Sequence, residues 1–281
     1  MNKFKYFIVL LVLGVSACTE PIDLDLNTDE NIRLVVDAQL TTEAKAHLVY
    51  LTTTRDFFTP GQPIPAIDAV VTLDDGNSTE NLVELEPGSY FTAEDFAGEV
   101  GKTYTLTIAY EGVTYTAVSE ILPVASLDEV RAELADPDDD FFDDEEEFDE
   151  EGNPLVFYDI FGVSEEPPTP GNHYLWFVNV NGERRLADYV DWFFVNDDLV
   201  NGQHIDVDFY TLDAEPGDVV ELQQMSITPG AYDFLLDVTF EVFRGGLFDG
   251  APANVSTNID NGALGYFITS DVSSNSALIP E

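Results

Sequence analysis

Thr103-Tyr104-Thr105-Leu106-Thr107-Ile108-Ala109-Tyr110, then Glu111-Gly112, then Val113-Thr114-Tyr115-Thr116-Ala117-Val118, is the stretch that decides the fold. Tyr104, Leu106, Ile108 and Tyr110 recur at a period of two, which puts them on one face of a strand. The Glu-Gly pair turns the chain back on itself, so the whole stretch reads as a hairpin. Outward toward the amino terminus the same period holds. Leu34, Val36, Ala38 and Leu40 alternate, and Leu48-Val49-Tyr50-Leu51 suits a pleated surface. Ala69, Val71 and Leu73 lead to the turn Asp74-Asp75-Gly76. Leu82–Leu85, Pro87-Gly88 and Ser89–Thr92 follow. About seven regularly spaced strands without a helical period predict an antiparallel β-sandwich of immunoglobulin or transthyretin type over 32–121.

Outward toward the carboxyl terminus, 122–154 reads as a linker and an acidic loop, and 155–281 as a second β-rich domain. Strand-like runs are Leu155–Val163, His173–Val180, Tyr189–Val195, Ile205–Tyr210 and Val219–Ile227. One helix is expected over 229–243. Thr228 caps it, Pro229 suits its first turn, and Tyr232, Leu235, Leu236, Thr239 and Phe243 are expected on its buried face. Asp233, Asp237 and Glu241 fall opposite, on a solvated face. The fold class is therefore mainly β: an N-terminal sandwich, then a second β-rich domain carrying one helix.

Composition removes several functions. Lys and Arg number 10 against 55 Asp and Glu, a formal net charge of -45. A surface this anionic repels phosphate backbones, which excludes nucleic acid as a partner. A single Cys forms no intrachain disulfide, and 3 scattered His argue against a His-rich metal site. At 44% hydrophobic and 12% aromatic, the chain is too apolar for a disordered acidic tail.

The first residues carry an address. Lys3 and Lys5 precede the apolar run Tyr6–Leu13 and the small residues Gly14, Ser16 and Ala17, the order of a signal peptide over 1–17. The run falls short of the about 20 apolar residues that span a bilayer. Val15-Ser16-Ala17-Cys18 resembles the bacterial lipobox, which makes Cys18 the lipidation site and palmitate a component of the anchor. Residues 18–31 then form an acidic tether with Glu20, Asp23, Asp25, Asp29 and Glu30, similar to the surface-export signal of Bacteroidota lipoproteins. The expected location is the outer membrane, facing the cell exterior; a spacer that only lifts the domain from the bilayer is the alternative.

Between Asp136 and Glu151, twelve of sixteen residues are acidic. Such a run is expected to be a solvated surface loop. Calcium is the cofactor that it could gather, with Asp138, Asp140, Asp143 and Asp144 as candidate ligands, although the spacing is not that of an EF-hand loop. Salt adaptation is the other reading, since acids dominate throughout. Phe141, Phe142 and Phe148 within the run are expected to dock on the protein or a partner.

No catalytic residues are assigned. Lipid consumes the thiol, no Gly-x-Ser-x-Gly elbow accompanies His47, His173 or His204, and no phosphate-binding glycine loop is present. Paired carboxylates of a hydrolase stay as a lesser alternative, uninformative among 55 acids. Tyr90, Tyr104, Tyr110 and Tyr115, and likewise Trp176 and Trp192, offer sugar-stacking surfaces, but core packing accounts for them more simply.

Ala69-Val70-Val71, Gly88-Ser89-Tyr90 and Gly101-Lys102-Thr103-Tyr104 together resemble small sandwich modules of bacterial surface proteins, which implies a spacer or adhesive scaffold. The run Pro252-Ala253-Asn254-Val255-Ser256-Thr257-Asn258-Ile259-Asp260-Asn261-Gly262-Ala263-Leu264-Gly265-Tyr266-Phe267 carries a second resemblance. With the lipobox, the Leu34-Val35-Val36 strand, the Gly-x-Tyr strand and the helix bearing Tyr232, it is similar to the Bacteroidota lipoprotein family called domain of unknown function 4249. That resemblance implies an accessory role beside a TonB-dependent outer-membrane transporter and supplies no catalytic residues. The acidic run is longer than such proteins usually carry. Asn254 and Asn258 suit satisfaction of loop backbone, and Gly262 and Gly265 suit tight turns. The second reading is a ligand-binding loop with Asn254, Asn258 and Tyr266. The expected function is a binding or accessory component of an envelope uptake system, with a glycan-binding or adhesive spacer as the alternative.

Overall fold

In the first half of the chain the alternating segments become β1 (Leu34–Thr41), β2 (Leu48–Thr53), β3 (Ile64–Pro65), β4 (Val70–Asp74), β5 (Thr79–Asn81), β6 (Val83–Glu86), β7 (Ser89–Phe91), β8 (Thr103–Tyr110) and β9 (Val113–Glu120). The computed structural model describes residues 32–55, 61–136, 155–186, 191–244 and 255–280. The signal peptide, Cys18 and the tether lie outside them, as do Asn254 and the calcium candidates Asp138, Asp140, Asp143 and Asp144. Arg33–Glu281 makes up one compact unit.

The β8–β9 hairpin forms in the register that its pattern predicts, Tyr110 opposite Val113 across Glu111-Gly112. Both turn residues have positive φ, which the second, a glycine, adopts without a Cβ penalty. Leu106 and Ile108 face Leu34, Val36, Leu40 and Leu51 in a shared core. Tyr90 and Tyr104 are fully buried there, and the Tyr90 hydroxyl donates to the Ala66 carbonyl at 2.9 Å. These tyrosines pack the core; they are not a sugar platform.

The second half contains β10 (Leu127–Leu134), β11 (Phe157–Glu165), β12 (His173–Val180), β13 (Glu183–Arg184), β14 (Phe193–Asn196), β15 (His204–Asp213), β16 (Val219–Ser226), α1 (Pro229–Val242), β17 (Leu264–Ser270) and β18 (Val272–Leu278). Two sheets result: β10-β11-β15, and β13-β12-β16-β18 with β14 paired to β12. Strand β10 lies inside the stretch read as linker, because its pattern is not a clean period of two: only Leu127 and Val130 are buried.

Strand β12 is buried on both faces. Tyr174, Trp176, Val178 and Val180 enter one core, while Leu175 and Phe177 enter another with α1. A strand covered on both sides has no polar face, so its sequence reads as a continuous apolar run.

Helix α1 begins as expected. The Thr228 hydroxyl accepts from the Ala231 amide at 3.2 Å, and Pro229 occupies the first turn. Its buried face differs from the predicted one. Ala231, Phe234 and Leu235 are the buried residues, whereas Phe243 is 70% exposed. The cause is Tyr266 of β17, whose ring stacks on Phe234 at 5.0 Å and whose hydroxyl lies against Gly230. Replacing Thr228 with Ala should cost about 1 kcal/mol, measurable as a lower midpoint in urea unfolding.

The chain's last strands tie the two sandwiches together. β17 runs parallel to β1 in the first sandwich, completing the sheet β17-β1-β2-β7-β6. The next strand, β18, pairs with β16 in the second. Between them the Asp271 carboxylate accepts from the Thr42 hydroxyl at 2.9 Å and the Val124 amide at 3.1 Å. One residue thus gathers three distant segments at the junction.

Candidate functional site

The doubly buried strand β12 also builds the most distinctive feature of the molecule. Its Tyr174 and Trp176 project toward the β10-β11-β15 sheet. Across the sheet, Trp176 stands directly opposite Gln224 of β16, and Phe193 of β14 flanks it on the other side. Cross-strand partners share a face, so Trp176 and Gln224 lie side by side. Phe209 of β15 stacks on the indole at 3.9 Å. Gly162 of β11 makes room for that ring: a Cβ there would meet Phe209 at 2.8 Å and Leu222 at 2.9 Å.

These residues line a cavity of about 330 Å³ that opens at the end of the two sheets. Its aromatic wall consists of Tyr174, Trp176, Phe193, Phe194, Phe209 and Tyr232. Leu199 and Val200 stand at its rim on the turn after β14, where Leu199 is 88% exposed. That turn is fixed by the buried Asp197. Its carbonyl accepts from the Asn201 amide at 2.8 Å, and its carboxylate accepts from the Gly171 amide at 2.9 Å.

Two polar atoms in the wall are unsatisfied. Trp176 is 3% exposed and Gln224 1%, yet the indole Nε1 and the amide Oε1 have no hydrogen-bond partner. Each such group costs about 1–3 kcal/mol, and native proteins contain few of them. Both atoms are also sealed from solvent, so they sit behind the cavity wall and not on its surface.

The third polar element is Glu166, buried at 6% exposure where the chain leaves β11. Its Oε1 accepts from the Asn172 amide at 2.8 Å and from the Tyr174 hydroxyl at 3.0 Å. Burial, then the hydrogen bond to Glu166, holds the Tyr174 phenol well above its usual range, so it stays protonated and donates. Among the described residues, no Lys, Arg or His lines the cavity.

A second cavity of about 260 Å³ lies between the outer face of β1 and β2 and the helix, with Tyr50 and Phe234 in its wall. No unsatisfied polar atom of the described residues belongs to it.

Among the sequence candidates, Asn258 and Tyr266 lie away from the larger cavity. The Asn258 amide group closes two bonds on Phe267, donating to its carbonyl and accepting from its amide, each at 2.9 Å. Tyr266 is buried between β17 and α1. Of the two tryptophans, Trp176 lines the cavity, while Trp192 sits edge-on to Phe177 at 4.9 Å. His47 is buried against the Phe96 carbonyl, His173 approaches that of Gly171, and His204 meets Glu165. Among the described residues, no group of three or more His, Cys, Asp or Glu is placed to hold a metal ion.

Gln224 and Glu166 carried no local signal as site residues. The signal available was Gln223-Gln224 inside an apolar strand, and an acid directly before Pro167-Pro168.

No curated protein matches this chain. The motif around Asn258 and Gly265, the helix that packs on it and the N-terminal strand beside it are all parts of one family pattern. That pattern matches residues 19–276, so the chain belongs to the family described as domain of unknown function (DUF4249).

Proposed function

We propose that this protein is a lipid-anchored component of the outer membrane that binds a small, largely apolar ligand in its second sandwich. It serves there as a binding or accessory partner of an uptake system, handing the ligand to a TonB-dependent transporter. The observation that carries the binding reading is the aromatic-walled cavity of about 330 Å³ with the buried Glu166 carboxylate in its lining. Cavities of this kind, mostly apolar with a few convergent polar groups, are where proteins hold small molecules. The location rests on the lipobox at Cys18 and the acidic tether that follows it. With its tyrosines turned inward, the first sandwich acts as the spacer that carries the binding sandwich away from the membrane.

Gln224→Met tests the cavity. Methionine fills the same volume without a buried amide, so the ligand-free protein should gain about 1 kcal/mol in urea unfolding. Binding of hydrogen-bonding ligands found by thermal-shift screening of the detergent-solubilised wild type should weaken at least about tenfold. A variant that loses stability and binds as before would remove the cavity from consideration. Affinity capture of the tagged protein from solubilised envelopes should recover an outer-membrane transporter; recovery of none would favour the glycan-binding or adhesive spacer.

A further inference from the structure

We propose that the cavity between the two sheets of the second sandwich selects a monocationic amine with an apolar body, and that the Glu166 carboxylate is its counter-charge. The proposal rests on the ligand-binding reading above and adds to it the charge and class of the ligand.

The argument starts from what the wall lacks. Among the described residues, Glu166 is the only charged side chain that lines the cavity, and it is buried. A buried carboxylate without a cation partner is expensive, because its charge has left water and nothing of opposite sign replaces the hydration. Asn172 and Tyr174 supply partial compensation, and both bonds fall on Oε1. Oε2 is left for a donor that comes with the ligand. An anion entering the same space would meet like charge at low dielectric, and a neutral donor would add a hydrogen bond but no opposite charge. An ammonium group alone among the three supplies both.

The remaining wall agrees with that choice. Trp176, Phe193, Phe194 and Tyr232 present aromatic surface to the cavity. Aromatic faces attract cations through the ring quadrupole, most strongly where water is excluded. The same surfaces bury the apolar body of the ligand. The chain's formal charge of -45 adds a long-range attraction for cations and repulsion of anions.

The test uses three probes of one shape: 2-phenylethylammonium, 2-phenylethanol and 3-phenylpropionate. Each is titrated calorimetrically into the full-length protein in neutral detergent with about 0.5 M sodium chloride, where attraction to the acidic surface is screened. The expected result is one site per chain for the ammonium, at least about tenfold tighter than the alcohol, with no heat from the carboxylate. Glu166→Gln, which keeps an acceptor for Asn172 and Tyr174, should bring ammonium and alcohol to equal affinity without lowering the melting temperature by more than a few degrees. If Glu166→Gln unfolds, Trp176→Phe should weaken the ammonium in a folded protein. Equal binding of ammonium and alcohol to the wild type, or a preference for the carboxylate, would overturn the charge assignment and leave the binding reading in place. Absence of heat from all three would overturn the amine assignment, and a thermal-shift screen without a hit would overturn the binding reading as well.

Discussion

Gly265→Ala should destabilise the protein by at least about 3 kcal/mol and lower its melting temperature by about 10 °C. The residue is the second of strand β17, which runs parallel to β1 with Gly265 paired to Val36. Its φ is +90°, in the region where side-chain-bearing residues are strained. A Cβ built at this position would lie 1.9 Å from the Val36 carbonyl oxygen and 2.8 Å from its carbonyl carbon. Both atoms are backbone, so relief requires the strands to separate. Separation is costly here because neighbouring residues of β17 serve different cores: Tyr266 packs with the helix, and Phe267 enters the first sandwich. Gly262, three residues earlier in the same motif, supplies the control. Its φ is +78°, but nothing lies within 4 Å of its Cβ position. Gly262→Ala should therefore cost only the backbone term, about 1 kcal/mol. Thermal and urea unfolding of the two variants separates the clash from the dihedral preference. Equal losses would mean that β17 shifts at no cost.

The same motif shows what can be read from a sequence and what cannot. Its amides have short-range duties, and those are legible: Asn258 satisfies backbone nine residues away, as a short amide in a loop is expected to. The first sandwich was legible for a related reason. One face of each long strand is buried and the other is wet, so burial prints a period of two onto β1, β4 and β8. Where that asymmetry fails, so does the reading. Strand β18 is Val272-Ser273-Ser274-Asn275-Ser276-Ala277-Leu278, with no fully buried residue to mark it. It holds its place through pairing with β16 and through side chains such as Asn275, which donates to the Asp128 carbonyl at 2.9 Å.

Return of the chain to the first sandwich through β17 is likewise a long-range pairing, Val35 to Leu264, that no local period encodes. The cavity is the extreme case. Glu166, Trp176, Phe209 and Gln224 come from four separate segments, and each alone resembles ordinary strand or loop. What brings them together is their convergence on one cavity, which exists only after folding.

Cys18→Ala should transfer essentially all of the protein from the membrane to the soluble envelope fraction. The expectation follows from asking what else could hold the chain at a bilayer. Among the described residues no helix is long and apolar enough to cross one. A formal charge of -45 repels anionic lipid and leaves no polybasic patch to assist. In the proposed function the acyl chains on Cys18 are the anchor. Each methylene they bury contributes about 0.8 kcal/mol, so two long chains hold firmly, and one chain alone binds only marginally. The anchor is therefore lost all at once with the thiol that accepts it. Fractionation followed by carbonate washing measures the transfer, and labelled palmitate should mark the wild type and not the variant. The variant should keep the wild-type melting temperature, because residue 18 lies outside the compact unit Arg33–Glu281. Retention of Cys18→Ala on washed membranes would falsify the lipid anchor and point to a membrane-bound protein partner as the attachment. On the proposed function, shortening residues 18–31 should alter delivery to a transporter before it alters ligand binding.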